Sequence, residues 1–204
     1  MVSNYPSDTA YAWWLMEHFW KTQAELFNQA GKKAYLAYPK ITSLSETISN
    51  SPIETVRLTL PWHSKEEAIQ ARKFLSDKNI TFIYFTDQPY FNPQYAVMRL
   101  QGVQRIVIHD HTPGDRLPIL GFRGAWKAIR NRLHWFTADN VLCVSELMRQ
   151  RNMANGRIPA HKCAVVQNGI QLVTCSKEKN IKIRESLGVA ASTLLVITTG
   201  RAHP

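Results

Sequence analysis

"RIVIHDHTPGD", residues 105–115, decides the fold: four residues that suit a buried strand run straight into two histidines and two acids, closing on a Pro-Gly turn. Ile106, Val107 and Ile108 show no polar alternation, which fits a strand covered on both faces. Three readings compete for the histidines at its end. A His-x-His pair can hold a metal if a third ligand such as Asp110, Asp115 or Asp139 joins it. A histidine at the mouth of a parallel strand can instead serve binding or catalysis. Thr112, Pro113, Gly114 and Asp115 also make ordinary turn chemistry, with the imidazoles merely exposed.

Outward from this stretch the same pattern recurs. "KKAYLAY" (32–38), "VRLTL" (56–60), "ITFIYF" (80–85), "NVLCVS" (140–145), "CAVVQ" (163–167) and "LLVITTG" (194–200) are short runs rich in β-branched or aromatic residues. Helix-like stretches separate most of them, notably 10–30, 64–77, 122–136 and 146–154, with Ser64 and Ser145 placed to cap. Strand and helix in alternation predict an α/β fold: a doubly wound, mainly parallel, Rossmann-like sheet with helices on both faces. Ligands of such sheets bind beyond the carboxyl ends of the strands, where strand order reverses, so residues 109–115 are a candidate site by geometry alone. The polar run "SKEKNIKIRES" (176–186) reads as a surface connection.

Bulk properties narrow the classes. A single unit of 204 residues can bury roughly 70% of its unfolded surface. No apolar run reaches the length of a membrane span, and "MVSNYPSDTAYAWW" has neither the basic nor the apolar region of a signal peptide, so cytoplasmic residence is expected. Cys143, Cys163 and Cys175 are odd in number and lack finger spacing, which leaves reduced core thiols as the expectation. A net charge of +10 points to anionic partners. Part of it lies in "FRGAWKAIRNRLHWF", where Phe122, Trp126, Ile129, Leu133 and Phe136 form one helical stripe expected to dock on the core. Arg123, Lys127, Arg130 and His134 share the adjacent flank, which would suit anionic lipid or phosphate.

Absent motifs exclude further classes. The chain has no G-x-G-x-x-G, no P-loop, no G-x-S-x-G elbow and no H-E-x-x-H, so no dinucleotide fingerprint, serine hydrolase elbow or zinc-protease helix is readable. No finger or RNP-like pattern favours nucleic acid. A basic binding module without chemistry and a metal-dependent hydrolase remain as competing readings.

"TADNVLCVSELMRQRNMANGRIPAHKCAVVQNGIQL" (137–172) resembles the N-terminal domain of family-4 glycosyltransferases of GT-B fold, through Asp139, Ser145, Pro159 and Asn168-Gly169-Ile170. "LLVITTGRAHP" is similar to the opening strand of that family's second domain, and "SNYPSDTAYAWW" to its acceptor-side loop. The resemblance implies an acceptor-side domain over 1–190 and the first strand of a donor-binding domain over 191–204. It implies a retaining transfer of a sugar from a nucleotide-diphosphate sugar to an acceptor hydroxyl, with no further cofactor and no metal. His109 is the residue carried over as catalytic. Pro6, Asp8, Thr9, Trp13, Asp110, His111, Ser145, Asn168 and Gly169 are carried over as substrate-binding, and Arg201 as the group that meets the donor diphosphate.

Overall fold

The computed structural model describes residues 1–112, 119–169, 177–190 and 192–196, with the backbone alone at 10–13 and 177–180. Pro113, Gly114, Asp115, Ile170, Cys175 and Arg201 lie outside the described residues, as does most of the run 194–200; Leu194–Val196 have no regular structure. Two compact units form, Met1–Gly169 and Ile170–Pro204.

The first unit alternates helix and strand: α1 (Ala10–Gln29), β1 (Ala34–Tyr38), α2 (Glu46–Ser49), β2 (Ile53–Arg57), α3 (Lys65–Asp77), β3 (Phe82–Thr86), α4 (Gln94–Leu100), β4 (Arg105–Asp110), α5 (Gly121–Arg130), β5 (Asn140–Cys143), α6 (Glu146–Ala154) and β6 (Cys163–Val165). All pairings between these strands are parallel, β1 with β2 on one side and β3-β4-β5-β6 on the other. Val2 joins the two groups, bridging Ala37 of β1 and Phe85 of β3 in parallel sense. With the Val2 segment counted as a strand, the spatial order is β2-β1-Val2-β3-β4-β5-β6. That is the doubly wound Rossmann arrangement, and the order reverses between Val2 and β3.

Side-chain alternation in the strands builds a core on each face. Ile83, Phe85, Ile106, Ile108 and Val141 pack with Ala71 and Leu75 of α3 and with Tyr95 and Met98 of α4. Leu36, Tyr38, Tyr84 and Val107 face the other way, against Met16 and Trp20 of α1 and Ile48 of α2. Ser64 and Glu67 close a reciprocal capping box at the start of α3, and Ser145 caps α6 by accepting from the Met148 N–H at 3.2 Å. Cys143 and Cys163 are free and buried, and burial pushes the Cys163 thiol up to about 11. No helix among the described residues is long and apolar enough to cross a membrane.

Three local expectations are corrected. β2 lies earlier than "VRLTL", because the ladder with β1 runs only from Ile53 to Arg57. Leu58 and Leu60 of that run are buried beyond the strand. The run 122–136 splits into α5 and a short 3-10 turn at His134–Phe136, and its apolar stripe does not dock on the core. Phe122 is 85% exposed and Trp126 57%, with Ile129 and Leu133 also exposed. Gly124 is the buried residue of α5, and a Cβ there would stand 2.3 Å from the carbonyl oxygen of Ile119 just ahead of the helix. In the second unit, α7 (Lys177–Ser186) forms where a connection was expected. Its sequence holds strong helix formers and no Gly or Pro, and Gly188 in the left-handed region (φ +65) terminates it.

Candidate functional site

Strand β4 ends in His109 and Asp110 beside the point where strand order reverses, and the side chains there come from four segments. Asn4, just past Val2, donates to the Thr86 carbonyl at 2.5 Å and accepts from Gln88 at 2.6 Å. Asp87 follows β3 in the left-handed region (φ 52), a conformation Asp tolerates better than most residues. Its N–H donates to the His109 carbonyl at 3.0 Å, while its Oδ1 accepts from the His111 N–H at 2.5 Å. Burial raises the Asp87 carboxyl above the usual range, against the opposing pull of that His111 amide. Asp87 thereby pins the turn that leaves β4.

His109 has no exposed surface. Its ring packs edge-on against Phe19 of α1, with centroids 5.4 Å apart, and lies 4.0 Å from the His111 ring. The Tyr84 hydroxyl and His109 Nδ1 are hydrogen-bonded at 2.5 Å. Burial first, and the adjacent His111 second, lower the His109 pKa to about 4, so the imidazole is neutral at neutral pH. The Val166 carbonyl lies close enough to favour the protonated ring, yet Nε2 closes no hydrogen bond of ordinary geometry. A Tyr84 hydroxyl donating to Nδ1 leaves the proton on Nε2. The site then presents a neutral N–H donor held in one orientation.

The neighbouring residues divide between structural and open. Asp110 is enclosed: Oδ1 accepts from the Thr112 N–H at 3.1 Å, and Oδ2 accepts from Asn152 at 2.8 Å and Arg151 at 3.4 Å. It ties the end of β4 to α6. His111 is partly exposed, with Nδ1 3.9 Å from Asp87, and neither ring nitrogen has a hydrogen-bond partner. Of the two imidazoles, the one solvent reaches is His111. Ser145 serves as the α6 cap, whereas Asn168 and Gly169 are exposed. In the N-terminal loop, Thr9 donates to the Pro6 carbonyl at 3.0 Å and Asp8 is exposed. Trp13 lies in α1, its side chain outside the described residues.

Asp139, a candidate third metal ligand from sequence, sits at the opposite end of its strand. Its Oδ2 accepts from the Ile106 N–H at 2.7 Å and from Arg99 at 3.0 Å. Among the described residues no group of three His, Cys, Asp or Glu side chains converges as a metal site would require. Asn4, Tyr84, Asp87 and Gln88 were missed in the sequence. The available signal was "FTDQPY", an acid and an amide directly after an apolar strand.

A parallel α/β unit with loops from both sides of a switch point defines the Rossmann-like class of ligand-binding domains. Residues 13–173 match the sequence profile of Glycosyltransferase Family 4, and the chain belongs to that family. A comparison with curated proteins gives no match. Among solved structures, the chain is similar to a glycosyltransferase from Rickettsia africae ESF-5, with a TM-score of 0.66 and 14% sequence identity. That likeness covers 94% of this chain and 49% of the solved one, so the chain spans about half the length of its structural relative.

Proposed function

We propose that residues 1–190 form the acceptor-side domain of a retaining glycosyltransferase of GT-B arrangement, and that 191–204 open its donor-binding domain. The sugar passes from a nucleotide-diphosphate sugar to an acceptor hydroxyl. The observation that carries this reading is the neutral His109 ring at the switch point, its Nδ1 held by Tyr84 and its Nε2 without a normal partner. A buried polar atom at a sheet's rim that closes no hydrogen bond of ordinary geometry, even with the Val166 carbonyl nearby, calls for a ligand or a catalytic role. Here Nε2–H donates a hydrogen bond to a sugar hydroxyl or to charge developing at the reacting bond. His111, tilted against it at 49° and partly exposed, lines the acceptor side with Pro6, Asp8, Thr9 and Trp13. Asp110 and Ser145 act through the backbone they hold, and Asn168 and Gly169 border the cleft. Arg201 neutralises the departing diphosphate.

Turnover then needs a second domain, so the test joins this chain to a family donor-binding domain and measures transfer of labelled sugar. His109→Ala should lower kcat by about 100-fold or more; an unchanged rate removes the proposed role. The exposed stripe of α5 favours a membrane-bound acceptor, with anionic lipid as peripheral partner. Arg123 is exposed beside Phe122 and Trp126, Lys127 donates to the Asn155 carbonyl at 2.9 Å, and Arg130 stacks 4.6 Å over Phe91. Co-sedimentation should show binding to anionic vesicles and little to neutral ones. Salt-dependent binding to random oligonucleotides, without any preference for vesicles, would support the basic-module reading instead.

A further inference from the structure

Helix α1 crosses β3 in the antiparallel sense, and its rise matches that of the strand. Four helical residues advance about 6 Å and two strand residues about 6.6 Å, so every fourth residue of α1 meets every second residue beneath it. Phe27 packs on Phe82, with ring centroids 5.8 Å apart. Earlier on the same ridge Phe19 packs on His109 at 5.4 Å, level with Thr86 in the ladder. Gln23 lies midway between the two phenylalanines, and the residue midway beneath is Tyr84. An amide on a sheet-facing ridge of this kind is costly without a polar partner.

Tyr84 supplies that partner. Burial raises its phenol above the ordinary range, and the Gln23 side chain stands close enough to pull the other way. A group that favours the ionised phenol presents an N–H to its oxygen, so the amide nitrogen of Gln23 is the end turned toward Tyr84. The same hydroxyl meets His109 Nδ1 at 2.5 Å, with the two rings edge-on at 78°. Three polar groups thus run in series from α1 through β3 to β4.

The series has two self-consistent states. In one, the amide N–H donates to the Tyr84 oxygen, the phenolic proton goes to Nδ1, and the imidazole proton stays on Nε2. In the other, Nδ1–H donates to the Tyr84 oxygen, the phenol donates to the Gln23 side-chain oxygen, and Nε2 becomes a bare acceptor. A hydroxyl bonded to the ring alone can adopt either arrangement, so the choice is made at the far end of the series.

We propose that Gln23 is a positioning residue for His109: its amide N–H, acting through the Tyr84 hydroxyl, keeps the imidazole proton on Nε2. The catalytic value of that proton rests on the reading of His109 as the donor at the reacting bond, whereas the tautomer itself does not.

Long-range 1H–15N NMR of the histidine-labelled chain at neutral pH reports which ring nitrogen is protonated. His109 should carry its proton on Nε2. Gln23→Glu, equal in size but ionised and able only to accept, should move that proton to Nδ1, and Gln23→Met, which offers neither role, should give a mixture. In a Tyr84→Phe background Gln23→Glu should have no further effect. A proton on Nδ1 in the parent, or a ring left unchanged by both Gln23 variants, overturns the proposal. An equal effect of Gln23→Glu with and without the tyrosine overturns the route through Tyr84. In the chain joined to a family donor-binding domain, Gln23→Glu should lower kcat at least about tenfold with KM within about twofold. A moved proton with unchanged kcat upholds the role of Gln23 and removes the catalytic reading of His109.

Discussion

Helices α3 and α5 are both amphipathic by sequence, and the molecule treats them in opposite ways. Helix α3 buries Ala71 and Leu75 against the sheet and begins in a capping box. Helix α5 starts after Leu120, which offers no side-chain cap, and buries only Gly124 among its residues. Periodicity states that a helix has an apolar face. What covers that face depends on the connections on either side, and these differ: α3 crosses from β2 to β3 over the intervening β1 and Val2, while α5 lies between the neighbouring strands β4 and β5 and is held through Lys127 and Arg130.

The contrast is broken most severely by removing what α3 buries. Leu75→Ala should cost about 2–5 kcal/mol through lost burial and the cavity left behind, whereas Trp126→Ala on α5 should fall within about 0.5 kcal/mol of the parent. Denaturant midpoints of the two variants measure it, and a large loss from Trp126→Ala would mean that α5 is covered after all.

Covered and uncovered side chains also differ in proton binding. His109 is held neutral with its pKa lowered to about 4, against an ordinary value near 6.5. Below the ordinary value the unfolded chain takes up a proton that the folded chain refuses, so this residue lowers stability progressively as pH falls from about 6.5 to 4. At about 1.4 kcal/mol per unit the whole window amounts to roughly 3 kcal/mol. His109→Gln should flatten that part of the stability-against-pH curve, measured by urea unfolding, and an unchanged slope would mean that the ring titrates normally.

The smallest effects belong to the helix starts. Ser64→Ala should destabilise by about 1 kcal/mol through loss of the α3 cap, while Leu120→Ser should stabilise by a similar or smaller amount by supplying one to α5. Thermal melting of the two single variants compares them directly, and equal shifts of the same sign would defeat the contrast.

Legibility in the sequence followed the same physics. Strands β3 and β4 were readable because β-branched and aromatic runs have few other uses, and α1, α3 and α6 because their periods were long enough or their caps explicit. Helix α2, four residues long, and α4, seven, are too short for a period to register. Val2 holds the centre of the sheet, but a one-residue bridge carries no pattern. At the candidate site the histidines stood out as chemistry after a strand. Asp87 did not, because an acid in a turn is ordinary until its left-handed backbone and its bonds to the next loop are seen. The enclosure of His109 under Phe19 depends on α1 crossing that face, a tertiary fact outside any local window.

The Asp139 carboxylate has a consequence for how β5 is laid down. Asp139 donates its own N–H to the Ile106 carbonyl at 2.8 Å while its side chain takes the Ile106 N–H, so a single residue engages both backbone groups of its neighbour. A slip by one position would turn Val141 and Cys143 from the packed interior toward the opposite layer. Arg99 reaches the same carboxylate from α4, which makes the alignment of two strands conditional on a helix that precedes them both in the chain. The Asp139 contacts thereby favour one register of β4 against β5 over its neighbours.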